Sequence, residues 1–272
     1  MRLRPRKLRP VLLRPFHPRP VLLALAAGLG LLSFLSPAVA GAVNCRNTDF
    51  EGNRYSVCEV DVTREELRLF LYDPGGAPYG DFSAVDSRLA GEGKALAFGM
   101  NAGMYHEDRA PVGHYVEDGK ELMRVIPNEG PGNFGLLPNG VLCMGEGQAR
   151  VYETLAYEEA APKCRYATQS GPMLVIDGEL HPRFLPDSTS RYIRNGVGTS
   201  DDGKTATFVI SRNSVSFYDF AKFFRDGLKL NQALYFDGNI SRLYAPELGR
   251  SDWGRAMGPI VGVVVDKPGE DG

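Results

Sequence analysis

The stretch FGMNAGMY, residues 98–105, begins as a buried strand and ends as a polar turn. Phe98 and Met100 alternate as core residues do, but Asn101 and Gly103 interrupt the apolar pattern. Asn and Gly both tolerate left-handed backbone, so a plain exit turn explains the interruption. A site built at a strand end explains it equally, because a rigid scaffold holds polar groups in place there. The rest of the sequence has to distinguish the two interpretations.

Short strand patterns like this one recur along the chain and indicate the class of fold. Ten apolar or alternating runs predict strands at residues 54–62, 67–72, 94–100, 114–118, 133–137, 141–144, 172–177, 203–211, 233–237 and 259–266. Helices are predicted at 216–228, where Ser216 can cap and Asp219 is the third helical residue, and at 81–91. Many strands with a few packed helices predict an α+β (mixed α/β) fold in a single strand-rich domain.

The first forty residues have the pattern of a secretory signal peptide. Residues 1–20 carry seven basic side chains and no acid, residues 21–36 are an apolar run, and residues 37–40 end in a small-x-small cleavage pattern. The apolar run is short for a membrane span. We therefore expect a signal peptide over residues 1–40 and a single domain over residues 41–272, exported and periplasmic or extracellular. An uncleaved signal segment is the alternative, and it is the only membrane contact expected.

Removal of that leader makes the chain acidic. The full sequence has 31 basic and 33 acidic residues, and subtracting the seven basic residues of the leader leaves 24 against 33, a formal charge of −9. An acidic chain of 272 − 40 = 232 residues is a poor candidate for binding nucleic acid. It is long enough for one sizeable core. We expect no nucleic-acid partner.

Four cysteines follow the leader: Cys45, Cys58, Cys143 and Cys164. None has the C-x-x-C spacing of a zinc or redox motif. An even number of cysteines behind an export signal indicates disulfides, although four cysteines allow three pairings. We favour Cys45–Cys58 and Cys143–Cys164, which close the two short loops; four reduced, buried thiols are the alternative.

Polar residues interrupt apolar runs at four places, residues 101–105, 169–172, 191–198 and 237–241. Each alone is usually a turn, and no H-E-x-x-H, G-x-S-x-G or Walker motif accompanies them. His106 and His114 are eight residues apart with acids between them, a spacing more typical of surface residues than of a metal site. Arg194 and Asp237 are more informative as a pair, because each needs a partner if it is buried.

Together and in this order, the four segments resemble the phosphodiester glycosidase domain family over about residues 55–265. NAGMY is similar to the family's Asn-Gly/Ala-Gly-aromatic-aromatic segment, NFGLLPNG to its Phe-Gly hairpin, and SGPMLVIDG to its Ser-Gly strand. RNGVG matches Arg-Thr-Ala-Ile-Gly, which puts the family arginine at Arg194. FDGNIS matches Leu-Asp-Gly-Gly-Gly-Ser, which puts the aspartate at Asp237 and the serine at Ser241. The sequence departs from the family pattern at Met104, Asn195, Asn239 and Ile240.

The resemblance implies a hydrolase that cleaves the glycosidic bond between the anomeric carbon of a sugar and a phosphodiester. The leaving group is then a phosphate monoester, already a weak base, so a strong general acid is less necessary. The planar guanidinium of Arg194 would hold the phosphate. The carboxylate of Asp237 would act on the oxocarbenium-like sugar as nucleophile, as base for water or as electrostatic stabiliser. Asn101 would orient a sugar hydroxyl or the water.

The same resemblance implies the substrate-binding residues Gly103, Ser170, Gly171, Gly238 and Ser241. The two serines would donate to phosphate oxygens, and Asn101 and Gly103 would form the floor of the pocket. His106 or Glu107 is a candidate for moving the proton, although the family motifs contain neither. Amide, hydroxyl, guanidinium and carboxylate groups do not make a metal cage, so we expect no metal and no cofactor. The expected partner is a phosphodiester-linked sugar or glycan.

Functions of other classes stay open at this point. A non-catalytic, exported glycan-binding protein on the same fold fits the acidic charge and the aromatic content, and it has little need for Arg194 and Asp237 in one cleft. A phosphodiesterase with the same residues would cut the P–O bond instead. A serine hydrolase using Ser170 with His114 or His181 is a further alternative, but the sequence lacks a nucleophile elbow.

Overall fold

The computed structural model describes residues 43–237 and 239–267, which we call the described residues. The expected signal peptide and Gly238 lie outside them. The described residues belong to one compact unit of the chain. Within them, no helix combines the length and the apolar character needed to cross a membrane.

Strands dominate the described residues. They are β1 (Asn44–Phe50), β2 (Asn53–Asp61), β3 (Glu66–Phe70), β4 (Lys94–Asn101), β5 (Tyr115–Glu117), β6 (Lys120–Met123), β7 (Gly140–Gly145), β8 (Gln148–Glu153), β9 (Tyr166–Ser170), β10 (Met173–Ile176), β11 (Glu179–Leu180), β12 (Asn195–Thr199), β13 (Thr205–Ser211), β14 (Gln232–Tyr235), β15 (Leu243–Ala245), β16 (Arg250–Ser251) and β17 (Ile260–Asp266). The helices are α1 (Phe82–Ala90), α2 (Thr154–Ala160) and α3 (Phe217–Lys222). A π-helical turn (Phe223–Gly227) continues α3, and a 3-10 turn spans Pro246–Leu248.

The strands pair into three antiparallel sheets. The first has seven strands in the order β1-β2-β13-β12-β14-β10-β11. The second has the order β16-β15-β4-β17-β3, and the third the order β6-β5-β9-β7-β8. The fold is therefore mixed α+β but dominated by antiparallel sheets, a more strand-rich architecture than the sequence indicated.

The main core lies between the sheets, so that all three contribute apolar side chains to it. Phe98 of β4 and Phe208 of β13 meet there with ring centroids 4.9 Å apart. Leu142 of β7 and Met173 of β10 are buried in the same cluster. Burial of such side chains contributes about 1.5–3 kcal/mol each, so this shared core holds the ends of strands from different sheets together.

Most predicted elements are confirmed, with one wrong strand. Residues 133–137 form turns, because the backbone finds local partners there: Leu136 N–H donates to the Asn133 carbonyl at 3.3 Å, and the Asn139 side chain donates to the Phe134 carbonyl at 3.1 Å. The capping box of α3 is confirmed, since Ser216 and Asp219 bond each other's backbone. The predicted helix 81–91 is confirmed as α1, whose Asp81 caps it.

Two disulfide bonds cross-link the structure, and they are the two pairs that close the short loops. Cys45 and Cys58 stand directly opposite each other in the β1–β2 pair, so this bond fastens an edge strand of the first sheet. Cys143 of β7 is bonded to Cys164, two residues before β9. Both bonds therefore reinforce pairing between neighbouring strands.

Replacing Cys45 and Cys58 by alanine is expected to lower the free energy of unfolding by about 2–4 kcal/mol, because the cross-link restricts the unfolded chain. The Cys143→Ala/Cys164→Ala variant should lose a similar amount, since loops of 13 and 21 residues differ little in closure entropy. Urea unfolding followed by circular dichroism measures both. An unfolding midpoint of the wild-type protein that does not move on reduction would contradict this expectation.

Candidate functional site

Strand ends from the first and second sheets meet at a pair of buried asparagines. Asn101 is the last residue of β4 and Asn195 the first of β12, and both side chains are fully buried. Asn195 Nδ2 donates to Asn101 Oδ1 at 3.0 Å, and the backbone N–H of Arg242 donates to the same oxygen at 3.0 Å. The opening stretch of the sequence thus ends in a buried polar contact between two sheets.

The amide of Asn195 also holds the segment that follows β14. Its Nδ2 lies 3.2 Å from the Asp237 carbonyl oxygen and 3.4 Å from the Ile240 carbonyl oxygen. These backbone partners fix which end of each amide is nitrogen and which is oxygen. As a result, Asn101 keeps a buried N–H group and Asn195 a buried oxygen that have no hydrogen-bond partner among the described residues.

Unpartnered buried polar atoms are rare because each costs about 1–3 kcal/mol. Asn101 Nδ2 is a donor and Asn195 Oδ1 an acceptor, and both belong to side chains whose other atoms are firmly bonded. A ligand with a hydroxyl group can satisfy both kinds of atom. The arrangement is therefore suited to binding a polar, hydroxyl-bearing molecule.

Arg194, the residue before β12, is 1% exposed although it carries a charge. Its Nε donates to the Val215 carbonyl at 3.0 Å and its Nη2 to the Ser190 carbonyl at 3.2 Å. Its Nη1 lies 3.4 Å from the Tyr235 hydroxyl. The Phe217 ring covers the guanidinium, with 3.6 Å between Arg194 Cζ and the ring centroid. Burial lowers the pKa of Arg194 from its ordinary value, and Tyr235 opposes this effect.

Asp237 lies two residues beyond the end of β14 and is also buried. Its Oδ1 accepts a hydrogen bond from the Asn239 N–H at 3.0 Å. Burial is the main reason why the pKa of Tyr235 is raised; the charge of Asp237 raises it further and that of Arg194 lowers it. Tyr235 is therefore in contact with Arg194 and also responds to the charge of Asp237.

Tyr105 and the turn after it lie beside this region. Burial raises the pKa of Tyr105, Asp237 raises it further, and Arg109 and Arg242 lower it. The hydroxyl therefore stays protonated near neutral pH and can donate a hydrogen bond. His106 and Glu107, the candidates for moving a proton, are exposed in the turn that follows.

Two of the predicted substrate-binding glycines, Gly103 and Gly171, lie in closely packed surroundings. Gly103 has φ +125°, and a Cβ there would lie 2.8 Å from Thr168 Oγ1 of the third sheet. A Cβ on Gly171 would lie 2.8 Å from Asn139 Cβ. Both positions need glycine for packing, and their contact with a substrate stays a prediction, as does that of Gly238.

The predicted substrate-binding serines donate to the backbone in this structure. Ser170 Oγ donates to the Phe236 carbonyl at 2.6 Å. Ser241 Oγ lies 3.1 Å from the Ile193 carbonyl oxygen and 3.2 Å from that of Asp237. Each hydroxyl has one hydrogen, which it gives to a carbonyl oxygen here, so the predicted donation to phosphate would require the O–H group to turn away from that carbonyl.

The histidines do not form a catalytic pair with Ser170. His114 Nδ1 contacts the Met123 carbonyl oxygen at 2.9 Å and its Nε2 contacts the Tyr157 hydroxyl at 3.0 Å. His181 Nδ1 accepts from the Arg183 N–H at 3.2 Å. The serine hydrolase alternative lacks the hydrogen bond between nucleophile and base that it requires.

The surface cavities and the possible metal ligands were compared with the position of Asn101. One surface cavity of about 230 Å³ is lined by residues that include Glu66 and Arg165. A second, of about 280 Å³, is lined by residues that include Tyr72 and Lys120. Asn101 lines neither cavity. Within the part of the chain that the structure describes, no three His, Cys, Asp or Glu side chains are grouped so that they could hold a metal ion.

Sequence reasoning missed two members of the site. Asn195 counted only as a departure from a family threonine, and Arg242 was not considered. Arg242 is 7% exposed, and burial lowers its pKa. The available signal was its position, since a charged residue stands directly before the apolar strand β15.

Comparison with known proteins agrees with this arrangement. The sequence profile of the phosphodiester glycosidase family matches residues 94–264. Protein YigE of Escherichia coli (strain K12) is 33% identical over 185 residues, which are 68% of this chain and 72% of YigE. The chain therefore belongs to the phosphodiester glycosidase family, and the resemblance seen in the four polar segments is confirmed. Membership supports a hydrolase-like enzyme.

Two solved structures share the fold. One is the catalytic domain of zebrafish N-acetylglucosamine-1-phosphodiester alpha-N-acetylglucosaminidase, auto-inhibited by its pro-peptide, with a TM-score of 0.57, 13% identity and 81% of each chain covered. The other is a hypothetical protein from Synechocystis, with a TM-score of 0.55, 14% identity, and 81% of this chain and 61% of that chain covered. At such identities the likeness extends to the fold alone.

Replacing Asn195 by alanine is expected to lower the free energy of unfolding by about 1–3 kcal/mol, because Asn101 Oδ1 and the carbonyls of Asp237 and Ile240 each lose one hydrogen-bond donor. Asn213→Ala is the matched control, since this partly exposed amide also bonds across the chain. Water replaces its lost partners, so the control should lose less than about 1 kcal/mol. Urea unfolding measures both, and equal losses would show that the Asn195 contacts have no special weight.

Proposed function

We propose that this chain is an exported hydrolase that cleaves the glycosidic bond between a sugar anomeric carbon and a phosphodiester. The observation that supports the proposal is that Asn195 joins Asn101 to the backbone of Asp237, directly after the buried Arg194, in a chain of the phosphodiester glycosidase family. Two disulfide bonds fit an oxidising compartment, which is consistent with export.

Arg194 is suited to hold the phosphate. A guanidinium has five N–H donors, and three of those on Arg194 donate to Val215, Ser190 and Tyr235, which leaves two for phosphoryl oxygens. Its partners are neutral, so its charge is not cancelled by a carboxylate. Because the group is buried, its attraction for an anion is stronger than it would be in water.

Asp237 is suited to serve the anomeric carbon. A carboxylate can act there as nucleophile, as base for water, or as stabiliser of the oxocarbenium-like transition state. The free N–H of Asn101 would orient a sugar hydroxyl or the attacking water. The phosphate monoester leaves as a weak base, so no strong general acid has to be found among the buried residues.

Exposed aromatic rings beside the region support a sugar ligand. Trp253 is 91% exposed and Tyr192 is 56% exposed. Tyr192 faces the Arg194 guanidinium at 5.5 Å. Exposed rings of this kind also suit a non-catalytic glycan-binding protein, so a folded protein that binds glycans and turns over no sugar-1-phosphodiester would favour that alternative.

The position of bond cleavage is the decisive test. Hydrolysis of an N-acetylglucosamine-1-phospho conjugate in ¹⁸O-labelled water is expected to put the label on the anomeric oxygen, because water attacks carbon. Mass spectrometry of both products, taken before mutarotational exchange, reads the result. Label in the phosphate would mean attack at phosphorus and would make the protein a phosphodiesterase.

Substitutions in the pair should separate transition-state stabilisation from binding. Asp237→Asn is expected to lower kcat by about 10³-fold with little change in KM, because the carboxylate acts mainly in the transition state. Arg194→Lys should lower kcat and raise KM, since lysine keeps the charge but lacks the planar, paired N–H donors of the guanidinium. Steady-state kinetics on the substrate used for labelling measures both. An Asp237→Asn variant that turns over at the wild-type rate would remove the aspartate from the mechanism.

A further inference from the structure

Arg242 carries a buried positive charge that has no direct ion pair among the described residues, although the carboxylates of Asp252 and Asp81 lie close enough to raise its pKa against the effect of burial. Its side chain is 7% exposed, and its Nη1 atom is buried without a hydrogen-bond partner among residues 43–237 and 239–267. None of the ion pairs between described residues includes it. A buried, unpaired cation is costly, so its retention calls for a role outside stability.

The backbone of Arg242 is part of the site already described. Its N–H donates to Asn101 Oδ1 at 3.0 Å, beside the contact that Asn195 makes with the same oxygen. The side chain is close enough to Tyr105 to affect its ionisation, as Asp237 also does. The backbone of Arg242 therefore belongs to the contacts around Asn101, and its guanidinium lies near Tyr105.

The surrounding loop packs against this guanidinium and restricts where it can lie. A Cβ on Gly254, whose φ is +138°, would lie 2.7 Å from Arg242 Nη2, so glycine leaves room for the group. Asp252 anchors the loop, because its backbone N–H donates to the Leu243 carbonyl at 3.0 Å and its Oδ2 accepts from the Leu243 N–H at 2.9 Å. A fixed donor binds a ligand without first losing conformational freedom.

Arg242 is also less occupied than Arg194. The Arg194 guanidinium donates from all three of its nitrogens and is covered on one face by Phe217. Arg242 Nη1, by contrast, has both N–H groups available. Of the two buried arginines, Arg242 has more capacity for an incoming anion.

We propose that Arg242 binds the phosphoryl oxygens of the substrate, as a second guanidinium beside Arg194. The inference rests on the proposed function and extends it to the leaving group. When the C–O bond breaks, its electron pair stays on the phosphate oxygen, and the monoanionic diester becomes a monoester with a charge of about −1.5 to −2 near neutral pH. Two cations match that final charge better than one, so Arg242 would stabilise the transition state as well as the bound substrate.

Binding of inorganic phosphate tests the proposal without requiring turnover. Isothermal titration of the full chain with phosphate is expected to show at least about tenfold weaker affinity in Arg242→Met, since a charged hydrogen bond is lost. The melting temperature of this variant without phosphate should stay unchanged or rise, because methionine fills the space without an unpaired charge. Arg109→Met is the matched control, with a guanidinium beside the same Tyr105 that donates to the Glu107 carbonyl; its affinity should stay within about twofold.

Two results would overturn the proposal: phosphate affinity that is unchanged in Arg242→Met, or no phosphate binding by the wild-type protein. If Arg242→Met does not fold, Arg242→Lys is the variant to measure. Phosphate affinity equal to that of the wild type in Arg242→Lys would show that the paired N–H donors of the guanidinium are not used. Failure of the proposed function looks different. Phosphate binding that depends on Arg242, without hydrolysis of any sugar-1-phosphodiester, would contradict the hydrolase and leave this inference standing.

Discussion

The geometry of the site depends on one amide group, that of Asn195. Its two N–H groups hold the Asn101 side chain and the carbonyls of Asp237 and Ile240, so a single side chain joins the first sheet to the second and to the segment after β14. The family pattern has threonine at this position, and a hydroxyl has only one hydrogen to donate. The amide of Asn195 can therefore hold three acceptors at once and clamps the segment after β14 to β4.

The protein places positive charge inside an otherwise acidic molecule. Arg194 and Arg242 are both buried, and burial lowers the pKa of each. Carbonyl oxygens, a tyrosine hydroxyl and an aromatic face hold Arg194, and these groups orient a guanidinium without neutralising it. A carboxylate partner would make the arginine more stable but would compete with an anionic ligand. Neutral partners therefore leave the charge of Arg194 available for the anionic ligand that the proposed function requires.

The sequence predicts those elements whose pattern is local. The alternation of residues 54–62 and the capping box of α3 are readable because each is set by neighbours in the chain. Strand β12 was missed because Asn-Gly-Val-Gly-Thr has no apolar alternation, although every residue of it is buried. Its strand conformation comes from pairing with β13 and β14. The unpartnered state of Arg242 is likewise invisible in the sequence, since it depends on what packs around the residue.

The turn interpretation of residues 98–105 is confirmed, and a site at the end of the strand stays a prediction. The backbone turns at Gly103, whose positive φ and close approach to Thr168 end the strand, and Thr168 Oγ1 donates to the Ala102 carbonyl at 2.6 Å. This contact brings the third sheet against the end of β4 and fixes the direction of the Asn101 side chain. A strand that continued would point alternate side chains into an apolar core, where an amide has no partner. Because the strand ends at Asn101, its amide lies at the edge of the second sheet, where it accepts from the Asn195 side chain and from the Arg242 backbone.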